Sequence, residues 1–327
     1  MKCCGCYKEV KEGYCLACRK LMFAGERVPS ILLFDPPTNE NLAHYQAHSK
    51  RLSISGVQLK YSLKLENKAL VLTETRGQYI IKPIPPAQQF AQIDSIPENE
   101  HLTMQIAAQV FKIPTAANVL IYFKDGTPAY LTKRFDIRPG GGKYQQEDFA
   151  QILGRTSKTH GDNFKYEGSY EDIGKLIQQF VPASILASER LYNQVVFNYV
   201  FSNGDAHLKN FSLIRNDEGE YQLSPAYDIL STVIHSPGES DTALQLYEGD
   251  YDSSFYSTYG YYGRANFLEL AQRLSIQQKR AERILDNYVL NADKVKQMIA
   301  KSFLHPEVKT MYEKNFEDKF ERIRAVE

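Results

Sequence analysis

The stretch SNGDAHLKNFSL at residues 202–213 contains side chains that suit phosphoryl transfer. Asp205 stands five positions before Asn210, and a His and a Lys lie between them. In phosphoryl transfer a carboxylate orients the attacking hydroxyl and accepts its proton, while other groups hold the magnesium that bridges the phosphates. A capped turn is the alternative, because Asn, Gly and Asp also favour turns. A turn, however, does not require His207, Lys209 and Asn210 together.

A second acidic residue, Asp228, follows Asn210 by 18 positions. The intervening segments FSLIR, NDEGE and YQL predict a strand, a turn and a strand. Such a hairpin would return Asp228 to Asn210, and two oxygen ligands suit Mg²⁺, which takes few protein groups besides phosphate oxygens. Protein kinases use a catalytic Asp and a metal-binding Asn at this spacing, followed by a further metal-binding Asp. We therefore predict Asp205 as the catalytic carboxylate and Asn210 and Asp228 as magnesium ligands.

Phosphate-binding groups are predicted upstream of these residues. RLSISGVQLK at residues 51–60 precedes a strand, and a turn at Ser53, Ser55 and Gly56 could direct backbone N–H groups toward phosphate. This is not the GxxxxGK[ST] motif, and the alternative is an ordinary Ser-Gly turn between two elements.

Lys82 closes the apolar strand QYIIKP, so its ammonium could hold phosphate oxygens in a cleft. Glu100, at the start of the following helix, could pair with it. The alternatives are an exposed strand-end lysine and an acidic residue placed by the helix dipole. The order of turn, strand lysine, helix glutamate, Asp-x4-Asn and hairpin aspartate is nevertheless that of a kinase active site.

The elements that must position these residues divide the chain into two lobes. YSLKLE, ALVLTE, QYIIKP, NVLIYF and PAYLTKRF predict an antiparallel sheet, and NEHLTMQIAAQVF predicts one helix beside it, within residues 51–138. Residues 139–327 are mainly helical, with a loop expected at 247–262. Residues 24–50 are interpreted as a linker and short helix. A cleft between a small sheet lobe and a helical lobe is a common nucleotide site.

All five cysteines lie within the first 18 residues. Two CxxC pairs, Cys3 with Cys6 and Cys15 with Cys18, are separated by eight residues, which predicts a tetrahedral Zn²⁺ site in residues 1–23. With no open ligand position the zinc would be structural and would fold a segment too short for its own core. Free or redox-active thiols are the alternative. Cys4 is either a spare thiol or a substitute for Cys3.

Composition excludes broad classes of partner. The formal net charge is zero, so wide attraction to nucleic acid or anionic lipid is not expected. No apolar run is long enough to span a membrane, and the N-terminus resembles no secretory signal, so we expect a cytoplasmic protein. The scattered histidines, among them His101 and His160, are expected at the surface.

These motifs resemble the HipA family of bacterial serine/threonine kinases, toxins of type II toxin–antitoxin systems. The resemblance covers roughly residues 50–290. The segments that carry it are ISGVQLK (54–60), YIIKP (79–83), NEHLTMQIA (99–107), LTKRFD (131–136), NGDAHLKNFSL (203–213), SPAYDILS (224–231) and DTALQLYEGD (241–250). It implies an α+β, two-lobed, protein-kinase-like fold with a small antiparallel-sheet N-lobe and a larger helical C-lobe. The zinc knuckle would precede that fold.

The resemblance also implies roles for individual residues. Asp205 matches the catalytic Asp, and Asn210 and Asp228 match the magnesium ligands. The positions implied to bind ATP are Ser53, Ser55, Gly56, Gln58, Lys60, Lys82, Glu100, Lys133, Phe135 and His207. Lys133 and Phe135 belong to LTKRF, which is similar to the adenine-holding hinge between lobes. Ser53 and Ser55 form an SxS arrangement like that of the short, HipT-type members, where autophosphorylation inactivates the kinase.

Partners follow from the same resemblance. Family members phosphorylate aminoacyl-tRNA synthetases, and an antitoxin protein neutralises them and connects them indirectly to DNA. About 50 residues precede the loop, fewer than the N-terminal subdomain of long HipA proteins requires, and in HipT-type systems a small separate protein supplies that part. Two other functions stay open: an ATP-binding pseudokinase that recruits a partner through its zinc segment, and a small-molecule kinase.

Overall fold

A computed structural model describes the protein at residues 1–38, 59–85 and 90–325. These residues form a five-stranded sheet between residues 61 and 133, a three-stranded sheet in the second part of the chain, and mostly helices after residue 148. The strands are β1 Tyr61–Glu66, β2 Ala69–Leu72, β3 Tyr79–Pro83, β4 Asn118–Tyr122, β5 Pro128–Lys133, β6 Gln146–Asp148, β7 Ser212–Arg215 and β8 Tyr221–Leu223. The α-helices are α1 Leu16–Phe23, α2 Ile96–Gln109, α3 Phe149–Ile152, α4 Ser157–His160, α5 Tyr170–Phe180, α6 Ser184–Val200, α7 Ser254–Tyr259, α8 Arg264–Arg273, α9 Gln278–Leu290, α10 Ala292–Lys301 and α11 Pro306–Arg324. The predicted α+β class is confirmed.

The sheet of the N-lobe is antiparallel, with strand order β2-β1-β3-β5-β4. Tyr61, Ile81 and Leu131 are register partners across β1, β3 and β5, and Val119 continues the row on β4. Residues that are opposite one another in neighbouring strands point to the same face of a sheet. All four side chains are buried, so they form one row of the core on that face. The sheet predicted from alternating hydrophobicity is therefore confirmed.

Helix α2 packs between this sheet and the helical lobe. Pro97 stands in its first turn, where a missing N–H group costs nothing. Nearly all of its side chains are buried, including the polar ones of Asn99, Glu100 and Thr103. Buried polar groups need hydrogen-bond partners, so this helix must be fixed in one orientation by specific contacts from both lobes.

The C-lobe is built around α6, whose Leu191 and Val196 are fully buried. Strands β7 and β8 pair as the predicted hairpin, with Leu213 opposite Leu223. Strand β6 joins the other side of β7 and was not predicted, because Gln146–Asp148 has no apolar alternation. The hairpin that returns the chain toward the Asp-x4-Asn loop is thus present.

Two segments differ from their predictions. Residues 247–262 contain the short helix α7 as well as loop, and the Ser253 side chain caps that helix by accepting from the Tyr256 N–H. Residues 30–34, expected as linker, run beside β4: the Leu32 N–H donates to the Tyr122 carbonyl at 2.8 Å. This pairing covers the sheet edge at β4. Residues 39–50, the remainder of the segment expected as linker and short helix, are outside the described residues.

No helix among the described residues has both the length and the apolarity that crossing a bilayer requires.

Candidate active site and cysteine centre

Lys82 joins three elements at the interface of the lobes. Its side chain, on β3, is only 4% exposed, which rules out the alternative of an exposed strand-end lysine. The ammonium donates to Glu100 Oε1 on α2 at 2.5 Å and to Asp228 Oδ1 beyond β8. Lys60 donates to the other oxygen, Asp228 Oδ2, at 2.9 Å. The structure therefore brings four of the predicted site residues into one ion-pair cluster.

Burial and charge compete within this cluster. Burial opposes the charged form of Asp228, but Lys60 and Lys82 outweigh it and hold the pKa of that carboxyl well below its usual range. Burial also opposes the ammonium of Lys82, yet Asp228 and Glu100 raise its pKa above the ordinary value. Asp228 is thus ionised at neutral pH, as a metal ligand must be.

The backbone at Asp228 is itself unusual. Its φ of 60° lies in the left-handed region, which a non-glycine residue rarely adopts. The preceding residue, Tyr227, donates from its hydroxyl to the Lys209 carbonyl at 2.9 Å. Because Lys209 immediately precedes Asn210, this bond holds the segment of Asp228 against the segment of Asn210. The β7–β8 hairpin thus returns Asp228 toward Asn210, as expected from the sequence.

The Asp-x4-Asn stretch forms a tight loop after α6. The Asn210 amide donates to the Asp205 carbonyl at 2.9 Å, and the His207 N–H donates to the same carbonyl at 2.8 Å. The Asp205 carboxylate is 42% exposed, so it is accessible to an incoming group. Burial lowers the pKa of His207 to about 4, so this imidazole is neutral at pH 7.

The other predicted nucleotide-binding residues are placed differently. Phe135 lies against Tyr227, with ring centroids 5.6 Å apart, close to the cluster. Lys133 does not join it: its ammonium donates to the Leu21 carbonyl of α1 at 3.4 Å. The remaining positions, Ser53, Ser55, Gly56 and Gln58, lie outside the described residues.

Sequence reasoning missed two residues beside Asp205. The Tyr166 hydroxyl donates to Asp205 Oδ1 at 2.6 Å, although Tyr166 is 39 positions away in an ordinary polar segment. Glu239 accepts from the Thr232 hydroxyl, which in turn accepts from the Gly204 N–H at 2.8 Å. Neither residue belongs to a recognisable motif, so no sequence signal identified them.

The four predicted zinc ligands converge. The Sγ atoms of Cys3, Cys6, Cys15 and Cys18 all lie within 4.8 Å of one another, and Cys4 is not part of the group. The N–H groups of Gly5 and Cys15 point to Cys3 Sγ at 3.4 and 3.2 Å. A side chain at position 5 would come within 2.6 Å of Cys18 Sγ, so only glycine fits there. Four thiols in this arrangement suit tetrahedral Zn²⁺.

This cysteine segment is fixed to helix α2. The Gly5 carbonyl accepts from His101 Nε2 at 3.3 Å, and His101 Nδ1 is 2.9 Å from the Tyr7 hydroxyl. Since a carbonyl can only accept, Nε2 carries the proton and Nδ1 accepts from Tyr7. His101 is fully buried, so its predicted surface position is wrong; His160 is exposed as expected. His101 directly follows Glu100 in the chain. Adjacent residues of helix α2 therefore contact the cysteine segment and the ion-pair cluster.

A two-lobed α+β fold with a sheet lysine paired to a helix glutamate and to an aspartate of the larger lobe defines a protein-kinase-like molecule. Residues 52–296 match the family model described as the HipA-like C-terminal domain. This match covers well over half of the chain, so the protein belongs to the HipA-like family. The family resemblance found in the sequence is confirmed.

Three relatives illustrate this membership. The chain is 35% identical over 227 residues to Y4dM of Sinorhizobium fredii, an inferred kinase, covering 64% of this chain and 53% of that one. It is 28% identical over 269 residues to an inferred kinase of Haemophilus influenzae, covering 77% and 76%. It is 27% identical over 227 residues to the serine/threonine-protein kinase toxin HipA of Shewanella oneidensis, covering 64% and 49%. The chain thus spans about half the length of Y4dM and of that HipA.

Two solved structures share the fold. HipA of Shewanella oneidensis MR-1, solved with HipB and its operator DNA, superposes with a TM-score of 0.63 at 18% identity, over 88% of this chain and 71% of that one. The Helicobacter pylori proinflammatory kinase CtkA superposes with a TM-score of 0.51 at 14% identity, over 81% and 90%. The kinase-like architecture is therefore that of known structures.

Proposed function

We propose that this protein is an ATP- and Mg²⁺-dependent serine/threonine protein kinase of the HipA type. The observation that supports it best is the bridging of Glu100 and Asp228 by Lys82, because kinases need this lysine–glutamate pair assembled for phosphoryl transfer. Asp205 would orient the substrate hydroxyl and take its proton. Lys60 and Lys82 would hold phosphate oxygens.

Asn210 and Asp228 would hold the magnesium, which neutralises charge on the phosphates. Two features fit this role. Asp228 is kept ionised by its lysines. The Asn210 side chain donates through its nitrogen to Asp205, and among the described residues its oxygen accepts nothing and is left for a ligand.

Self-inactivation is part of the proposal. We expect autophosphorylation of the SxS loop at Ser53 or Ser55, since a phosphate of nearly two negative charges there would repel the nucleotide phosphates and displace the loop. The residues Ser53, Ser55, Gly56 and Gln58 are proposed to bind the nucleotide phosphates before that reaction. The LTKRF segment that contains Lys133 and Phe135 is proposed to lie at the adenine as the hinge between the lobes, although the Lys133 ammonium itself is bonded to α1. His207 is proposed to lie near the phosphates.

The physiological role proposed is that of a cytoplasmic toxin in a toxin–antitoxin system. Its relative HipA of Shewanella oneidensis is named a toxin and was solved with HipB and DNA, which supports an antitoxin partner and an indirect link to DNA. A small separate protein is a further candidate partner, and an aminoacyl-tRNA synthetase is a candidate substrate. Residues 1–23 are proposed to hold a structural zinc through their four convergent thiols.

The test is phosphosite mapping of the wild type and of Asp205→Asn after incubation with Mg·ATP, with and without lysate. Loss of the proton-accepting carboxylate should reduce transfer about 10²–10⁴-fold. We expect label on Ser53 or Ser55 and on a lysate protein in the wild type only. ATP binding without any label in the wild type would contradict the kinase function and favour a pseudokinase or a small-molecule kinase.

A further inference from the structure

Lys165 is a buried lysine without an anionic partner in the part of the chain that the structure describes. It stands in the single helical turn Phe164–Tyr166, and its side chain is 6% exposed. It forms no ion pair with any of the described residues. Its ammonium lies over the Tyr166 ring, 4.7 Å from the centroid. An aromatic face compensates only part of the hydration that a buried ammonium loses, so the charge is costly as it stands.

The turn that carries Lys165 lies against the catalytic loop. The next residue, Tyr166, donates to the Asp205 carboxylate at 2.6 Å, and its ring meets His207 edge-on at 5.2 Å. On the other side of the turn, the Lys209 ammonium lies 5.9 Å from the Phe164 ring centroid. Lys165 is therefore held between two residues that contact the Asp-x4-Asn loop.

The charges around Lys165 are those of the candidate active site. Burial lowers the pKa of its ammonium, Asp205 and Asp228 act to raise it, and Lys209 and Lys60 act to lower it. Lys60 and Lys82 already pair with Asp228, whereas Lys165 is bonded to no carboxylate within residues 1–38, 59–85 and 90–325. A buried cation that has no anionic partner among the described residues, in a turn that contacts the Asp-x4-Asn loop on both sides, indicates that its partner is an anion that binds there.

We propose that Lys165 binds the terminal phosphate of ATP, an inference that rests on the proposed kinase function. During transfer the bond from the terminal phosphorus to the bridging oxygen of ADP breaks, and a bond to the substrate hydroxyl oxygen forms. The hydroxyl proton passes to Asp205, and ADP leaves with the electron pair of the broken bond. Lys165 keeps its proton throughout and stabilises the charge on the three oxygens of the moving phosphoryl group.

The experiment compares Lys165→Met with Lys158→Met, an exposed lysine on the neighbouring helix α4 that serves as the matched control. Titration calorimetry measures the affinities for ATP and for ADP, each with Mg²⁺. We expect Lys165→Met to weaken ATP binding about 10–100-fold and ADP binding by less than about threefold. The turnover number should fall about 10²-fold, and the control should match the wild type in every measurement.

Thermal unfolding without nucleotide separates this role from a structural one. Replacing a buried unpaired charge by an apolar side chain of similar length should leave the melting temperature unchanged or higher. A lower melting temperature together with an unchanged ATP-to-ADP affinity ratio would overturn the inference. A wild type that binds both nucleotides without transferring phosphate would overturn the kinase function, while a loss of ATP preference confined to Lys165→Met would still support the inference.

Discussion

At the scale of single residues, burial and neighbouring charges together set the protonation states of the groups around the loop. His207 is neutral at pH 7, because burial lowers its pKa to about 4. Asp228 is ionised, because two lysines outweigh its burial. Glu239 is partly protonated at pH 7, because burial raises its pKa to about 7 and the negative charge of Asp205 acts in the same direction. Glu239 is therefore an acid that titrates near neutral pH beside the Asp-x4-Asn loop.

This gives a stability prediction for Glu239→Gln. The ordinary pKa of the carboxyl is 4.5, and in the folded protein it is about 7. Between these values the folded state holds a proton that the unfolded state has released, so this residue makes the protein less stable as pH rises through that window. The variant lacks that effect and should be more stable than wild type at about pH 8 but not at about pH 4.5.

Urea unfolding at the two pH values measures the difference in the free energy of unfolding. Glu248→Gln, at an exposed position of the C-lobe, is the matched control for the removal of one carboxylate. An equal gain for Glu239→Gln at both pH values would show that the carboxyl does not titrate in this window.

At the scale of elements, helix α2 connects the cysteine centre with the ion-pair cluster. Glu100 faces Lys82, while the next residue, His101, faces the Gly5 carbonyl and Tyr7. The segment is also bonded to β4, since the Leu120 N–H donates to the Cys4 carbonyl and Tyr14 donates to the Leu120 carbonyl, both at 2.8 Å. A folded cysteine segment thus supports the orientation of the helix that carries Glu100.

Removal of zinc tests whether the cysteine segment supports the orientation of helix α2. We expect one zinc per chain by elemental mass spectrometry, lost in Cys18→Ser and kept in Cys4→Ala, because Cys4 is outside the four convergent thiols. A strong chelator should lower the melting temperature, by roughly 2–4 °C for each kcal/mol of stability lost. It should also lower phosphoryl transfer, because His101 loses its anchors. Full zinc content in Cys18→Ser, or none in the wild type, would refute the assignment.

At the scale of the whole molecule, helix α2 ties the two lobes together. Asn99 accepts from the Ser231 N–H at 3.0 Å and donates to the Ser231 carbonyl at 2.9 Å, just beyond Asp228. Farther along α2, the Thr103 hydroxyl donates to the Asn99 carbonyl, so it accepts from the Tyr312 hydroxyl of α11 at 2.8 Å. The sheet lobe and the last long helix therefore meet through buried polar contacts.

A double-mutant cycle with Thr103→Val and Tyr312→Phe measures this connection. Each single change should reduce the free energy of unfolding by about 1 kcal/mol, and the pair should lose less than the sum because the two hydroxyls share one hydrogen bond. Denaturant unfolding of the four proteins gives the coupling energy. Strictly additive losses would mean that this contact does not stabilise the junction.

Much of the fold was predictable because its signals are local. Strands β1 to β5 are short runs rich in apolar, β-branched and aromatic residues, and α6 and α11 have helical periodicity, so their types follow from short windows. The Asp-x4-Asn and CxxC spacings are also local, which is why they identified the candidate active-site loop and the cysteine centre. Strand β6 has no such periodicity and was recognised only by its pairing with β7.

The amino-acid sequence by itself determined the element types, the two-lobed order and the identity of the motifs, since these depend on neighbours along the chain. The tertiary structure alone decided which charges are paired. Lys82 meets Asp228 across 146 positions, and Tyr166 meets Asp205 across 39, so only the packing of the lobes creates these contacts. It also left Lys165 buried without a carboxylate partner among the residues that the structure describes, because burial and partnership depend on the whole surrounding volume rather than on any window of sequence.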